Sequence, residues 1–133
     1  MMNWNKKLLS LLVFVMLLAT KATCQDLPTD LINGFSTGNT SLISNYFKPS
    51  LELSIGSTSN VYSKTQAEII LKDFFKNNAP KSFSVLHKGG QGESKYAIGT
   101  LVTGNGTYRV TILIKGETTN AFIHQLRIDK DGA

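Results

Sequence analysis

Residues 63–75, SKTQAEIILKDFF, decide the fold because they form the clearest helix in the chain. Ser63 and Gln66 have the spacing of a capping box, in which each side chain accepts a hydrogen bond from the other residue's free backbone N–H. Apolar residues then recur at helical spacing and form a single stripe: Ala67, Ile70, Leu71, Phe74 and Phe75. The sequence Asn77-Asn78-Ala79-Pro80 ends the helix. We therefore expect a long amphipathic helix with one face against a core.

Four alternating segments follow this helix and predict four strands. Asn105-Gly106 predicts a tight hairpin between the second and third strands, since both residue types accept positive φ. The loop GGQGE at 89–93 joins two strands, so we interpret it as a turn and not as a phosphate-binding loop, which would open a helix. The four segments are SFSVLHK (82–88), KYAIGTLVT (95–103), TYRVTILIK (107–115) and AFIHQLRID (121–129).

Two short helices and one strand are predicted before the long helix. Residues 26–35 form the first helix, with Pro28 in its first turn and Gly38 as its left-handed end. Asn39 caps a second helix at 40–47. Apolar and polar side chains alternate over residues 50–55, which predicts a half-buried strand. The sequence leaves a short additional strand at 60–62 undecided.

The predicted element order is α-α-β-α-β-β-β-β. Consecutive hairpins indicate an antiparallel sheet with helices packed on one face. One long helix and two short ones cover this sheet most economically if it curves around the long helix. The sequence therefore predicts a single α+β domain over residues 25–133.

The first 24 residues have the composition of a secretory signal peptide. Lys6 and Lys7 precede an apolar run at 8–19, which is shorter than the roughly 20 residues that span a membrane. Cleavage after Ala22 would leave Thr23 first, and cleavage after Cys24 would leave Gln25 first and the mature protein without cysteine. Acylation of Cys24 as a lipid anchor is the alternative, and the charge of Lys21 at −3 fits it poorly. We expect an exported protein, periplasmic or secreted, with membrane attachment only if Cys24 is acylated.

Much of the net positive charge of the chain comes from the predicted signal peptide. Removing residues 1–24 lowers Lys and Arg from fourteen to eleven against nine Asp and Glu, so the net charge falls from +5 to +2. No basic cluster survives, and the composition therefore argues against nucleic-acid binding.

Three segments carry a resemblance to a known family: VYSKTQAEIILKDFFKNNAPKSFSVLHKGG, YAIGTLVTGNGTYRV and IHQLRID. The element order resembles the nuclear transport factor 2-like superfamily, the cystatin-like α+β roll. More closely, these segments look like a bacterial exported family in it, domain of unknown function 4783. The resemblance implies a cone-shaped cavity between helices and sheet, and frequent homodimerisation through the sheet. It implies no reaction, because this superfold hosts enzymes and binding modules alike.

Two histidines are the candidate catalytic residues. His87 follows Phe83 and Val85 at period two, and His124 shares that period with Phe122, Leu126 and Ile128. If those faces are concave, both imidazoles look into the cavity, where a general base would need to lie. No third ligand accompanies them, so no metal site and no cofactor are expected.

Aromatic residues complete the candidate binding site. We expect these side chains either to pack in the core or to line a small-molecule pocket, and Arg109 and Arg127 to lie on the sheet exterior or in a dimer contact. The candidate ligand-binding residues are Tyr46, Phe74, His87, Tyr96, Tyr108 and His124.

The leading hypothesis is a non-catalytic module that binds a small apolar or peptide-like ligand or another protein. An isomerase or hydrolase with His87 or His124 as its base is one alternative. A structural envelope lipoprotein anchored at Cys24 is the other.

Overall fold

A computed structural model describes residues 27–116 and 120–132. Three helices precede or interrupt a six-stranded sheet. The helices are α1 (Thr29–Thr37), α2 (Thr40–Ser44) and α3 (Lys64–Asn77). The strands are β1 (Phe47–Ile55), β2 (Thr58–Ser63), β3 (Pro80–Gln91), β4 (Ser94–Thr103), β5 (Gly106–Lys115) and β6 (Phe122–Lys130).

The sheet has the strand order β2-β1-β6-β5-β4-β3. The hairpin neighbours are antiparallel, as predicted, while β1 lies parallel to β6. The parallel pair joins strands distant in the sequence, which hairpin signals do not determine. The fold is therefore α+β, with β2 and β3 as the two edge strands of the sheet. The additional strand that the sequence left undecided at 60–62 is present as the central part of β2.

The long helix α3 forms as its sequence predicts. Ser63 Oγ accepts from the Gln66 N–H at 3.2 Å, and the Gln66 side chain accepts from the Ser63 N–H, so the capping box is present. The buried residues of α3 are Ala67, Leu71, Phe74 and Phe75. Asn78 ends the helix by donating its backbone N–H to the Phe74 carbonyl at 2.9 Å.

The two short helices differ from the prediction at their boundaries. Pro28 is the N-cap of α1, and Gly38 ends it in the left-handed conformation at φ 74°. The predicted extent of α2 to residue 47 is wrong, since the helix stops at Ser44. Phe47 instead pairs with Ile123 in β6, whose N–H donates to the Tyr46 carbonyl at 2.6 Å. Sheet pairing therefore ends α2 early.

The predicted hairpin between β4 and β5 is present, but its two loop residues lie one position earlier in the chain than the predicted pair Asn105-Gly106. Thr103 pairs with Gly106, so Gly104 and Asn105 form the loop. Only Gly106 of this turn has a positive φ, 132°. The Thr103 hydroxyl donates to the Gly106 carbonyl at 2.8 Å and stabilises the turn.

The core lies between the helices and the concave face of the sheet, which we define by the buried residues of β4 to β6. Phe35 of α1 stacks on Phe83 of β3 with ring centroids 4.9 Å apart. The fully buried large side chains are Phe35, Leu31, Ile43, Leu53, Leu71, Leu101, Ile112, Ile123, Leu126, Ile128 and Val110.

Two bulges interrupt the alternation of side chains near the histidines. Val85 pairs with Gly99 and His87 with Ile98, so Leu86 is an extra residue in β3. The prediction that His87 shares the face of Phe83 and Val85 is therefore wrong, because one extra residue reverses the alternation.

The second bulge lies in β6. Leu113 pairs with Gln125 and Ile114 with Ile123, which makes His124 the extra residue. Ile123 is fully buried while His124 is half-buried. The prediction that Phe122 shares the face of Leu126 and Ile128, with His124 between them, is wrong for the same reason.

Candidate functional site

A cavity of about 330 Å³ opens between α3 and the β1–β2 hairpin. The floor is apolar, and polar side chains lie around it. Its apolar lining consists of Leu53, Ile55, Ile70 and Phe74, and its polar lining of Thr58, Tyr62, Asp73, Asn77 and Asn78. The cavity is therefore amphipathic and lies at the β2 edge of the sheet.

The helix and the hairpin place these residues by their periodicities. Ile70, Phe74 and Asn77 lie three or four residues apart on α3 and so share one side of the helix. Leu53 and Ile55 alternate along β1 and point to the concave face. Since β2 pairs with β1 through a tight turn, Thr58 and Tyr62 come to lie beside the same space.

One wall of the cavity is held by a hydrogen-bond network. Asn78 Oδ1 accepts from the Tyr108 hydroxyl at 2.9 Å and from Asn105 Nδ2 at 3.4 Å. Asn78 Nδ2 donates to the Phe74 carbonyl at 3.0 Å, and Asn105 Nδ2 also donates to the Asn77 carbonyl. The β4–β5 turn is thereby tied to the end of α3, and the Asn78 side chain is fixed.

The remaining polar groups of the lining carry no such bonds within the described part of the chain. The Asp73 carboxylate, the hydroxyls of Thr58 and Tyr62 and the side-chain amide of Asn77 have no hydrogen bond or ion pair to protein atoms described here. These groups are free to bind water or a ligand. None of the four was predicted from the sequence as a site residue.

Two of the six candidate ligand-binding residues belong to this region. Phe74 lines the cavity, and Tyr108 packs edge-on against it with ring centroids 5.1 Å apart. Tyr96 is 41% exposed on the convex face, opposite the core. Tyr46, His87 and His124 are not among the residues that line the cavity. The structure therefore brings together Phe74 and Tyr108 and leaves the other four elsewhere.

Tyr46 lies half-buried after α2, near α1. Burial raises the pKa of its phenol above the usual value, and the negative charge of Asp30 raises it further. The neutral phenol is therefore the form present at physiological pH.

The histidines have separate surroundings. His87 is exposed in β3 and pairs with Ile98 across the convex face. His124 Nδ1 lies 3.1 Å from the Leu113 carbonyl, a contact in which the ring N–H donates. Neither ring contacts a carboxylate, and across the described residues no three His, Cys, Asp or Glu side chains cluster as a metal site would require.

The two arginines lie on the convex face, as their alternation predicts. Arg127 Nε donates to Asp129 Oδ2 at 2.7 Å, and Arg109 lies 3.7 Å from Asp131. Both pairs are substantially exposed and so contribute little to stability.

A shallower groove of about 240 Å³ continues from the cavity along α3. Tyr62, Gln66, Ile69 and Ile70 line it, and Ile69 is 64% exposed. Tyr62 and Ile70 line both spaces. The cavity mouth is therefore bordered by an exposed apolar strip.

The processing residues Cys24 and Gln25 and the predicted signal peptide at 1–24 lie outside the described residues. Over residues 27–116 and 120–132, no helix has the length and apolar character needed to cross a membrane.

Comparisons with known proteins agree with the expected family. The sequence model of a domain of unknown function, DUF4783, matches residues 28–129. The crystal structure of a DUF4783 family protein from Bacteroides ovatus is 34% identical, with a TM-score of 0.76, over 82% of this chain and 99% of that one. None of the curated proteins compared with the chain matches it.

More distant solved structures show the fold alone. A protein named Rd1NTF2_04 with long sheet is 15% identical, with a TM-score of 0.61, over 74% of this chain and 92% of that one. An uncharacterized protein with a cystatin-like fold from Silicibacter pomeroyi is 12% identical, with a TM-score of 0.55, over 75% of this chain and 70% of that one. The roll of the nuclear transport factor 2-like and cystatin-like proteins is therefore the fold of this chain.

Proposed function

The chain belongs to the DUF4783 family, a domain of unknown function, and from that premise we propose that it is a non-catalytic binding module. Its ligand is a small apolar or peptide-like molecule held in the cavity between α3 and the β1–β2 hairpin. The observation that carries this proposal is an amphipathic cavity whose polar groups are partly unused.

The size and composition of the cavity support a small ligand. A volume of about 330 Å³ lies at the lower end of the roughly 300–1,000 Å³ typical of small-molecule sites. Such sites combine an apolar lining with a few polar groups that orient the ligand. Leu53, Ile55 and Phe74 supply the apolar lining, and Thr58 and Tyr62 supply polar groups that can orient the ligand.

The rigidity of one wall also supports binding. The hydrogen bonds of Asn78 to Tyr108 and to the Phe74 carbonyl hold the end of α3 against the sheet. A wall that is already ordered loses little conformational freedom when a ligand binds, so less binding free energy is spent on ordering.

Titration with N-phenyl-1-naphthylamine, a neutral apolar dye that fluoresces when shielded from water, tests the proposal. We expect saturable binding by the wild type and loss of binding by Ile70→Trp, which fills the cavity. Val61→Trp, on a side chain 70% exposed and facing the other side of β2, is the matched control and should bind normally. Equal binding by all three proteins would contradict the proposal.

The enzymatic alternative receives no support from the cavity. A general base must come within hydrogen-bond reach of its substrate, and neither His87 nor His124 lines this space. The binding function is therefore the one that the geometry favours.

We also propose that the protein is exported, to the periplasm or outside the cell, with residues 1–24 as its signal peptide. Its support is the sequence alone: two lysines, an apolar run and small residues before the cut. An intact mass beginning at Gln25 would support ordinary cleavage, while a diacyl or triacyl mass on Cys24 would favour the lipoprotein alternative.

A homodimer through the sheet is part of the same proposal. Tyr96 pairs with Leu113 across the convex face, and Ile98 lies two residues along the same face. These side chains form an apolar surface on the side of the sheet that the helices leave uncovered.

A further inference from the structure

The cavity lining has an imbalance of charge. Asp73 is the only residue charged at neutral pH among those described around the cavity, and no Lys, Arg or His accompanies it there. Its carboxylate has no protein partner within the described part of the chain. The lining therefore presents a single unpaired negative charge.

The other unused groups can each accept a hydrogen bond, and each can also donate one. The hydroxyl oxygens of Thr58 and Tyr62 and the side-chain carbonyl of Asn77 each accept hydrogen bonds. An ammonium group donates up to three hydrogen bonds and accepts none. Asp73 alone is restricted to accepting, so its carboxylate selects for an ammonium group, and the other unused groups supply further acceptors for that ammonium.

Ligands of different charge meet different free-energy costs in this space. An anion meets the Asp73 carboxylate, and no lysine or arginine lines the cavity to offset the repulsion. A neutral ligand gains no charge attraction from that carboxylate. A cation does gain it, so the cavity can discriminate between ligands by their charge.

Resting on the proposed binding function, we infer that the cavity takes a small molecule with one ammonium group on an apolar body the size of a single ring, and that Asp73 is its counter-ion. The apolar body lies against Leu53, Ile55 and Phe74. The ammonium lies at the exposed side of the cavity, where Asp73 is.

Titrations with three compounds of matched size test this inference by ¹H–¹⁵N NMR at low salt: 2-phenylethylamine, 2-phenylethanol and phenylacetate. We expect the amine to bind about three- to tenfold more tightly than the alcohol, the range for a partly exposed, charge-assisted contact. Phenylacetate should bind most weakly. The shifted amides should be those of the cavity residues, and added salt should weaken the amine alone.

Asp73→Asn separates charge from shape in the same experiment. The amine should fall to the affinity of the alcohol, while the affinity of the alcohol stays unchanged. Glu68→Gln is the matched control, because it removes the same charge from the same helix at a residue outside the cavity lining. It should leave all three affinities near those of the wild type.

The outcomes distinguish this inference from the proposed function. Equal affinities for the three compounds, or an Asp73→Asn variant that still prefers the amine, would overturn the inference and leave the binding function in place. Failure of all three compounds while N-phenyl-1-naphthylamine binds would do the same. Failure of the dye as well would overturn both.

Discussion

Gly99 lies in β4 beneath the ring of Phe83, where a side chain has no room. A Cβ at this position would lie 2.5 Å from Phe83 Cε2 and 3.0 Å from the Ser84 carbonyl oxygen. Phe83 is itself stacked on Phe35 of α1, so its ring has little freedom to move away. The absence of a side chain at residue 99 therefore lets α1 close on the sheet.

We predict that Gly99→Ala lowers the free energy of unfolding by about 1–3 kcal/mol, the usual cost of overpacking a core. Chemical denaturation measures this change directly. Gly104→Ala is the matched control, because Gly104 lies in the β4–β5 loop with nothing within 4 Å of its added Cβ and without a left-handed φ. A similar loss in both variants would contradict the packing explanation.

At the scale of the element, α3 depends on its first turn. Ser63 and Gln66 satisfy backbone N–H groups that the helix leaves unpaired. We predict that Ser63→Ala destabilises the protein by about 1 kcal/mol, as the loss of an N-cap commonly does. Thermal or chemical unfolding measures the loss.

Thr65→Ala provides the control for this cap. Thr65 is exposed in the same turn and makes no hydrogen bond through its side chain in the described chain. The Thr65→Ala variant should have the same unfolding midpoint as the wild type or a slightly higher one, since alanine favours helix. If it lost as much stability as Ser63→Ala, the capping box would not be the cause.

Elements defined by neighbouring residues could be predicted from the sequence. The capping box at Ser63, the apolar stripe of α3 and the left-handed end at Gly38 all depend on contacts within a few residues. Phe47 and the bulges at Leu86 and His124 depend instead on partners in distant strands. Local patterns carry no information about these partners, so the end of α2, the face of His87 and the break in alternation at His124 could not be predicted.

Only part of the candidate site could be predicted from the sequence, because distant parts of the chain position some of its residues. Phe74 follows from helical spacing, and the resemblance to a roll fold implies a cavity. Asp73 belongs to the polar side of the α3 pattern, and only the position of β2 makes it a cavity residue. Thr58 and Tyr62 lie in a strand whose sequence is rich in turn residues, so their role depends on pairing with β1.

At the scale of the whole molecule, the proposed dimer depends on the convex face of the sheet. Ile98 and Leu113 are half-buried there, and Tyr96 is exposed. We predict that Ile98→Lys weakens or abolishes dimerisation, because a charge would be buried in an apolar contact. Analytical ultracentrifugation over a range of concentrations measures the association.

Ile69→Lys is the control for the dimer, since Ile69 is 64% exposed on α3, away from the convex face. It should dimerise as the wild type does. A wild type that stays monomeric at all concentrations, or a control that dissociates equally, would contradict the proposed interface.

The proposed function requires that the cavity between α3 and the β1–β2 hairpin holds a small molecule. Native mass spectrometry of the protein purified from the cells that produce it tests this requirement. On this proposal, we expect an additional mass of a small molecule on the wild type and on Val61→Trp, and its absence from a folded Ile70→Trp variant. The same additional mass on Ile70→Trp, or no additional mass on any of the three proteins, would contradict it.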